Sequence, residues 1–201
     1  MEPADLLLVG DWVLTMDAQR RMIRDGAVAV RDDRIVDVGT RRDLAARWEA
    51  GHTLGGSGRI LLPGLINAHQ HLTGDRLVRS TIPDSLRSDE ATFGWAVPVH
   101  AAHRPDDDEL SATLSLVEAV GNGITFTIEA GTVAHPAAVL AAYDRVGVGG
   151  TLGTWGWDVA AADGQPTAPW SGPCAEVLAR QEAVLDLTAD HPRVDGWVTL
   201  V

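Results

Sequence analysis

The chain opens with short apolar runs of strand character. Asp5–Leu14 (DLLLVGDWVL), Gly26–Arg31 (GAVAVR) and Arg34–Gly39 (RIVDVG) are apolar or alternating, with Asp32-Asp33 as a hairpin turn between the last two. A short helix is predicted from Thr40 through Trp48, followed by the Gly-rich stretch Gly55-Gly56-Ser57-Gly58. From Arg59 the rhythm changes to strand, loop and helix in alternation. Ile60–Ala68 (ILLPGLINA) is apolar enough for a strand buried on both faces. A long connection, Thr73–Arg104, precedes a helix over Asp106–Gly121. Asp106 can cap that helix, Leu110, Leu114, Val117 and Val120 recur at helical spacing, and Gly121-Asn122-Gly123 stops it. Ile124–Glu129 reads as a second strand, His135–Val146 as a helix opening on His-Pro, and Val148–Thr154 as a third strand. Cys174–Asp190 is a third helix, and Val194–Val201 begins a fourth strand.

Strands alternating with helices of this length predict βαβ units, a parallel sheet and an α/β fold. A (β/α)8 TIM-type barrel takes about 250 residues. The expected architecture is therefore a small β-sandwich-like module over residues 1–58 and the first half of a barrel, strands one to four, over 59–201. The pattern stops within a strand, so the barrel is expected to be incomplete and its open apolar edges to be paired, by a further segment or in a homo-oligomer.

Composition narrows the function classes. With 45% hydrophobic residues the chain can bury a core. The net charge of -12 argues against nucleic acid or anionic lipid as a partner. No apolar run reaches membrane-spanning length and no basic stretch precedes one, so a cytoplasmic protein is expected. The single cysteine, Cys174, forms no internal disulfide. All sixteen basic residues are arginine, which excludes a Schiff-base or P-loop lysine within this chain.

The candidate chemistry lies at the end of the first buried strand. Side chains alternate along a strand, so Leu65, Asn67, His69 and His71 point the same way, and the two imidazoles can converge on one cation at roughly 2.0–2.1 Å. By itself His-Gln-His is more often a pair of exposed, hydrogen-bonded strand-end or loop histidines than a metal site. His100 and His103, three apart, form a second pair, but Pro98 and Pro105 predict a loop there rather than a helix that would align them.

Pro63-Gly64-Leu65-Ile66-Asn67-Ala68-His69-Gln70-His71-Leu72 closely resembles the strand-one signature of the amidohydrolase superfamily, in the form of the branch holding cytosine deaminase, guanine deaminase and the triazine hydrolases. The resemblance implies that His69 and His71 bind one divalent zinc or iron ion and that activated water hydrolyses a C–N bond on a heterocyclic small molecule. It also implies that the other ligands and the catalytic residues lie on barrel strands five, six and eight, in a complementary segment or second chain. Two ligands are too few for a catalytic site, so this chain alone is expected to be inactive. In this branch the long loop lines the substrate pocket, which makes Asp84, Trp95 and His100 candidate substrate contacts. Glu129, ending strand two, and Trp157, following strand three beside Trp155, lie at the barrel mouth and complete that set. The alternative is a non-catalytic scaffold, an oligomerisation module or an inactive fragment.

Overall fold

The computed structural model describes residues 1–74, 76–158 and 168–200, and the chain divides into two compact units, Met1–Pro63 and Gly64–Val201. The first unit is a single four-stranded sheet in the order β3-β2-β1-β4, built from β1 (Glu2–Leu14), β2 (Met22–Arg31), β3 (Arg34–Thr40) and β4 (Trp48–Leu61), with the helix α1 (Arg41–Arg47) between β3 and β4. Thr40 caps α1 by accepting the Asp43 N–H. Leu7, Val9, Ala27, Ala29 and Leu44 form its buried core.

The strand β4 is absent from the sequence-based expectation, which saw only a Gly-rich stretch. It runs parallel to β1 with a register shift opposite Gly10 and Trp12. Glycine is what permits that irregular pairing: Gly55 adopts φ +101°, and a Cβ there would fall 2.0 Å from the Val9 carbonyl oxygen. Such a strand carries little apolar alternation to read.

The second unit holds a four-stranded parallel sheet in the order β5-β6-β7-β9, from β5 (Leu65–Gln70), β6 (Ile124–Glu129), β7 (Gly149–Leu152) and β9 (Val194–Gly196). The helices α3 (Pro105–Gly121), α4 (Pro136–Val146) and α5 (Cys174–Thr188) connect successive strands, as the alternating pattern predicts. Leu72, Leu116, Val133, Val139, Tyr143, Leu152 and Val194 lie in one buried core. Tyr143 crosses from α4 to the sheet, where its hydroxyl meets Thr127 Oγ1 at 2.6 Å and donates to the Thr151 carbonyl at 3.1 Å. That approach requires Gly150, because a Cβ there would lie 2.4 Å from the Tyr143 hydroxyl.

Four expectations change. The run Ile60–Ala68 is divided between β4 and β5, and β5 is not buried on both faces: Leu65 is 49% exposed and Ile66 67%, because β5 is the edge of its sheet. The third and fourth strands are each interrupted. A second small sheet pairs β8 (Trp155–Gly156) with β10 (Thr199–Leu200), while Val201 lies outside the described residues. The connection 73–104 is partly helical, with a 3-10 turn at Arg79–Thr81, π-helical turns at Glu90–Ala96 and the helix α2 (Val97–Ala102). Pro98 stands where the π-helical turns pass directly into α2, with Ala96 and Val97 both in the right-handed helical conformation.

The fourth concerns α3. Its start is held not by Asp106 but by Asp107, whose carboxylate accepts the Arg104 N–H at 2.9 Å. Leu110, Leu114, Val117 and Val120 are all exposed, and the buried face is Asp108, Ser111, Ala112, Ser115, Leu116 and Ala119. A polar stripe goes inward because it has partners there, described next.

Candidate metal centre

The two signature histidines converge. His69 Nε2 and His71 Nε2 are 3.1 Å apart, with ring centroids at 4.8 Å and planes at 78°. Two nitrogens on one tetrahedral zinc at the usual bond length would be about 3.3 Å apart. The pair therefore fits two positions of such an ion with little movement. Among the described residues no group of three or more His, Cys, Asp or Glu side chains is gathered for a metal.

Strand alternation alone does not build this pair. The register of β5 against β6 slips by one residue between Asn67 and Gln70, a bulge that bends the strand end. Asn67 stabilises it: its Oδ1 accepts the His69 N–H at 3.2 Å, and its Nδ2 donates to Gln70 Oε1 at 2.5 Å.

The loop after β6 closes one side of the pair. Ala130 N–H bonds the Gln70 carbonyl at 2.8 Å, and Gly131 N–H bonds Glu129 Oε2 at 2.8 Å. Thr132 Oγ1 lies 3.1 Å from His71 Nδ1, while the Thr132 carbonyl accepts from Thr73 Oγ1 at 2.7 Å. Gly131 is obligatory in this loop, with φ +98° and room for a Cβ only 2.3 Å from Trp155 Cδ1. The inward stripe of α3 supports the same region. Ser111 Oγ donates to the carbonyls of Leu72 and Thr73, and Ser115 Oγ to that of Leu72, at 3.0–3.2 Å.

Fully buried Asp108 fastens a second corner. Its carboxylate takes His103 Nδ1 at 2.9 Å and the His135 N–H at 3.0 Å, and His135 Nε2 donates to the His103 carbonyl at 3.1 Å. His100, 4% exposed on α2, sits with its ring 5.2 Å from that of His103. Burial above all, then the neighbouring His103, lowers the His100 pKa to about 4; Asp108 opposes this and His71 adds to it. His100 is thus neutral at pH 7.

The substrate candidates separate in space. His71 meets the Trp155 ring at 5.9 Å; Trp155 stacks on Trp157 at 5.9 Å, Trp170 stands edge-on to both, and Phe93 tilts against Trp157. His100 joins this cluster through Trp170 at 5.6 Å. Trp157 is half-buried within it, and Glu129 is fully buried beneath the loop at residues 130–132. Trp95, 39% exposed, lies on the π-helical turns, and Asp84 is exposed on the turn closed by the Leu86 N–H to the Pro83 carbonyl. Gly131, Thr132 and Asp108 escaped sequence reasoning, as did the bulge-holding role of Asn67. A glycine two residues past a β-branched strand was a usable signal for the loop, whereas nothing local marks Thr132 or Asp108.

The chain is similar to known proteins in sequence and in fold. Residues 26–48 match a family of bacterial imidazolonepropionase-like composite domains. The 5-methylthioadenosine/S-adenosylhomocysteine deaminase of Desulfovibrio desulfuricans is 28% identical over 198 residues, 96% of this chain and 42% of that protein. A zinc-bound adenosine deaminase from Xanthomonas campestris superposes with a TM-score of 0.82 at 25% identity, over 99% of this chain and 43% of that one. The fold is shared with a triazine hydrolase from Arthrobacter aurescens, TM-score 0.71 at 22% identity, over 98% of this chain and 45% of the other. The chain thus spans less than half the length of these relatives, and its α/β architecture with a parallel sheet is consistent with the N-terminal part of their TIM-barrel fold. By sequence and by fold, the chain is similar to deaminases and hydrolases of the amidohydrolase superfamily.

Proposed function

We propose that this chain supplies part of the active site of a metal-dependent hydrolase that deaminates, or otherwise cleaves a C–N bond of, a heterocyclic small molecule. The observation that carries the reading is the approach of His69 Nε2 and His71 Nε2 to 3.1 Å at the strand end. The pair suits one divalent ion, zinc or iron, which when bound would lower the pKa of a water molecule to generate the nucleophile. The remaining ligands and the proton-transfer groups come from a complementary segment or a second chain, since two protein ligands leave a catalytic site incomplete.

In this reading the described residues hold and orient. Trp157, with Trp155, offers a flat face to a planar ring. Trp95, like Phe93, is an exposed aromatic on the connection 73–104, and Asp84 is exposed on a turn of that connection. Neutral His100 and Glu129 are both buried, so neither is open to a ligand from solvent. Helices offer no membrane anchor: none among the described residues is long and apolar enough to cross a bilayer.

Metal content of the purified chain, measured by inductively coupled plasma mass spectrometry beside a His69→Ala/His71→Ala double variant, tests the reading. Zinc or iron bound by the natural chain and lost in the double variant is expected, with ammonia release from aminated purines, pyrimidines and triazines appearing once the complementary segment is present. Equal metal in both proteins would remove the hydrolase reading and leave a scaffold.

A further inference from the structure

We infer that Thr132 is the positioning residue of His71: its Oγ1 accepts a hydrogen bond from Nδ1–H of His71, which leaves Nε2 as the bare nitrogen turned toward His69. The inference rests on the metal-binding reading of the two histidines. A neutral imidazole carries one N–H, so fixing it on Nδ1 decides which nitrogen can bind a cation. Ligating histidines commonly use the second nitrogen in this way.

The geometry favours Thr132 because its hydroxyl is held in place rather than merely near. The distance to His71 Nδ1 is 3.1 Å and Thr132 is 6% exposed. A β-branched side chain has few χ1 choices. Its backbone is tied on one side through Thr73 Oγ1, whose own carbonyl accepts from Ser111 Oγ of α3. On the other side Gly131, with its left-handed backbone, is bonded to Glu129. The buried polar stripe of α3 and the fully buried carboxylate of β6 thus converge on the orientation of one hydroxyl.

The consequence is an asymmetry within the pair. His71 is half-buried and preset, whereas His69 is exposed. In the metal-free chain, bare Nε2 of His71 accepts a hydrogen bond from Nε2–H of His69 across their 3.1 Å separation. On metal loading only His69 has to relocate its proton, from Nε2 to Nδ1 by exchange with solvent, while His71 keeps its tautomer.

The test uses the full chain, metal-free and labelled with ¹⁵N-histidine, at about pH 8.5, well above the usual imidazole pKa. Two-bond ¹H–¹⁵N correlations report which ring nitrogen carries the proton. His71 is expected as the Nδ1–H tautomer in the natural chain and in Thr132→Ser, and as a mixture or the Nε2–H tautomer in Thr132→Val. Zinc affinity by chelator competition is expected to fall about 10- to 100-fold in Thr132→Val and to be retained in Thr132→Ser. Nε2–H on His71 in the natural chain, or an unchanged tautomer in a folded Thr132→Val, overturns the inference. Should Thr132→Val not fold, as judged by circular dichroism, the natural chain and Thr132→Ser still decide it. Zinc binding that survives His69→Ala/His71→Ala would defeat the metal reading separately, leaving the tautomer result to judge Thr132.

Discussion

Neighbouring strands β5 and β6 carry the candidate chemistry, yet they treat it in opposite ways. β5 is a sheet edge, with Leu65, Ile66 and His69 open to solvent and a bulge at its end. β6 lies between two partners, buries Thr127 and Glu129, and runs into a loop whose N–H, carbonyl and hydroxyl groups are engaged. On the proposed metal-binding reading, the ligands sit on the open strand, and the groups that hold His71 follow the closed one. A site can therefore be well ordered although half of it is exposed, because ordering comes from the neighbour.

That contrast predicts large stability effects on the closed side and small ones on the open side. The largest is expected for Gly131→Ala, which combines a strained left-handed backbone with a collision against Trp155, about 4 kcal/mol in urea unfolding. A loss under 1 kcal/mol would mean that the loop relaxes freely and the contrast is overstated. Acid comes next. His100 has a folded pKa of about 4 against an ordinary 6.5, so the unfolded chain takes up the proton first. Its contribution is full above pH 6.5, falls by about 3 kcal/mol as pH drops to 4, and is level below that. His100→Gln should flatten this segment of the stability–pH curve; an identical slope would assign the acid sensitivity elsewhere. Asp108→Ala strands the His103 ring N–H and the His135 backbone N–H, at a cost of about 2 kcal/mol by thermal unfolding. The smallest effect is expected for His69→Ala on the open strand, within about 0.5 kcal/mol of the natural chain, with its metal binding gone. A strongly destabilised His69→Ala would show that the edge is part of the scaffold after all.

How far the chain could be read in advance follows the same division. The order of parallel strands and helices in the second unit was legible from local periodicity, and a ten-residue signature singled out His69 and His71, though not the bulge that brings their rings together. What depended on neighbours was not. The strand β4 is glycine-rich and follows β1 through an irregular register, so it leaves no alternation in the sequence. The apolar stripe Leu110, Leu114, Val117 and Val120 marks a helix correctly but not its buried face, because Ser111 and Ser115 are drawn inward by the carbonyls of Leu72 and Thr73. Pro98 predicted a loop, yet it sits where π-helical turns pass directly into α2. Thr132 is 61 residues from His71, and only the folded loop brings them together.

The most direct measurement of the central claim is a zinc titration of the seven histidine rings, followed by ¹H–¹⁵N correlation on the metal-free full chain. His69 and His71 are expected to shift together at the lowest zinc concentrations, with His100, His103 and His135 unmoved. If the His100–His103 pair responds first, or if His69 and His71 never respond, the strand-end pair is not the metal-binding element and the account fails.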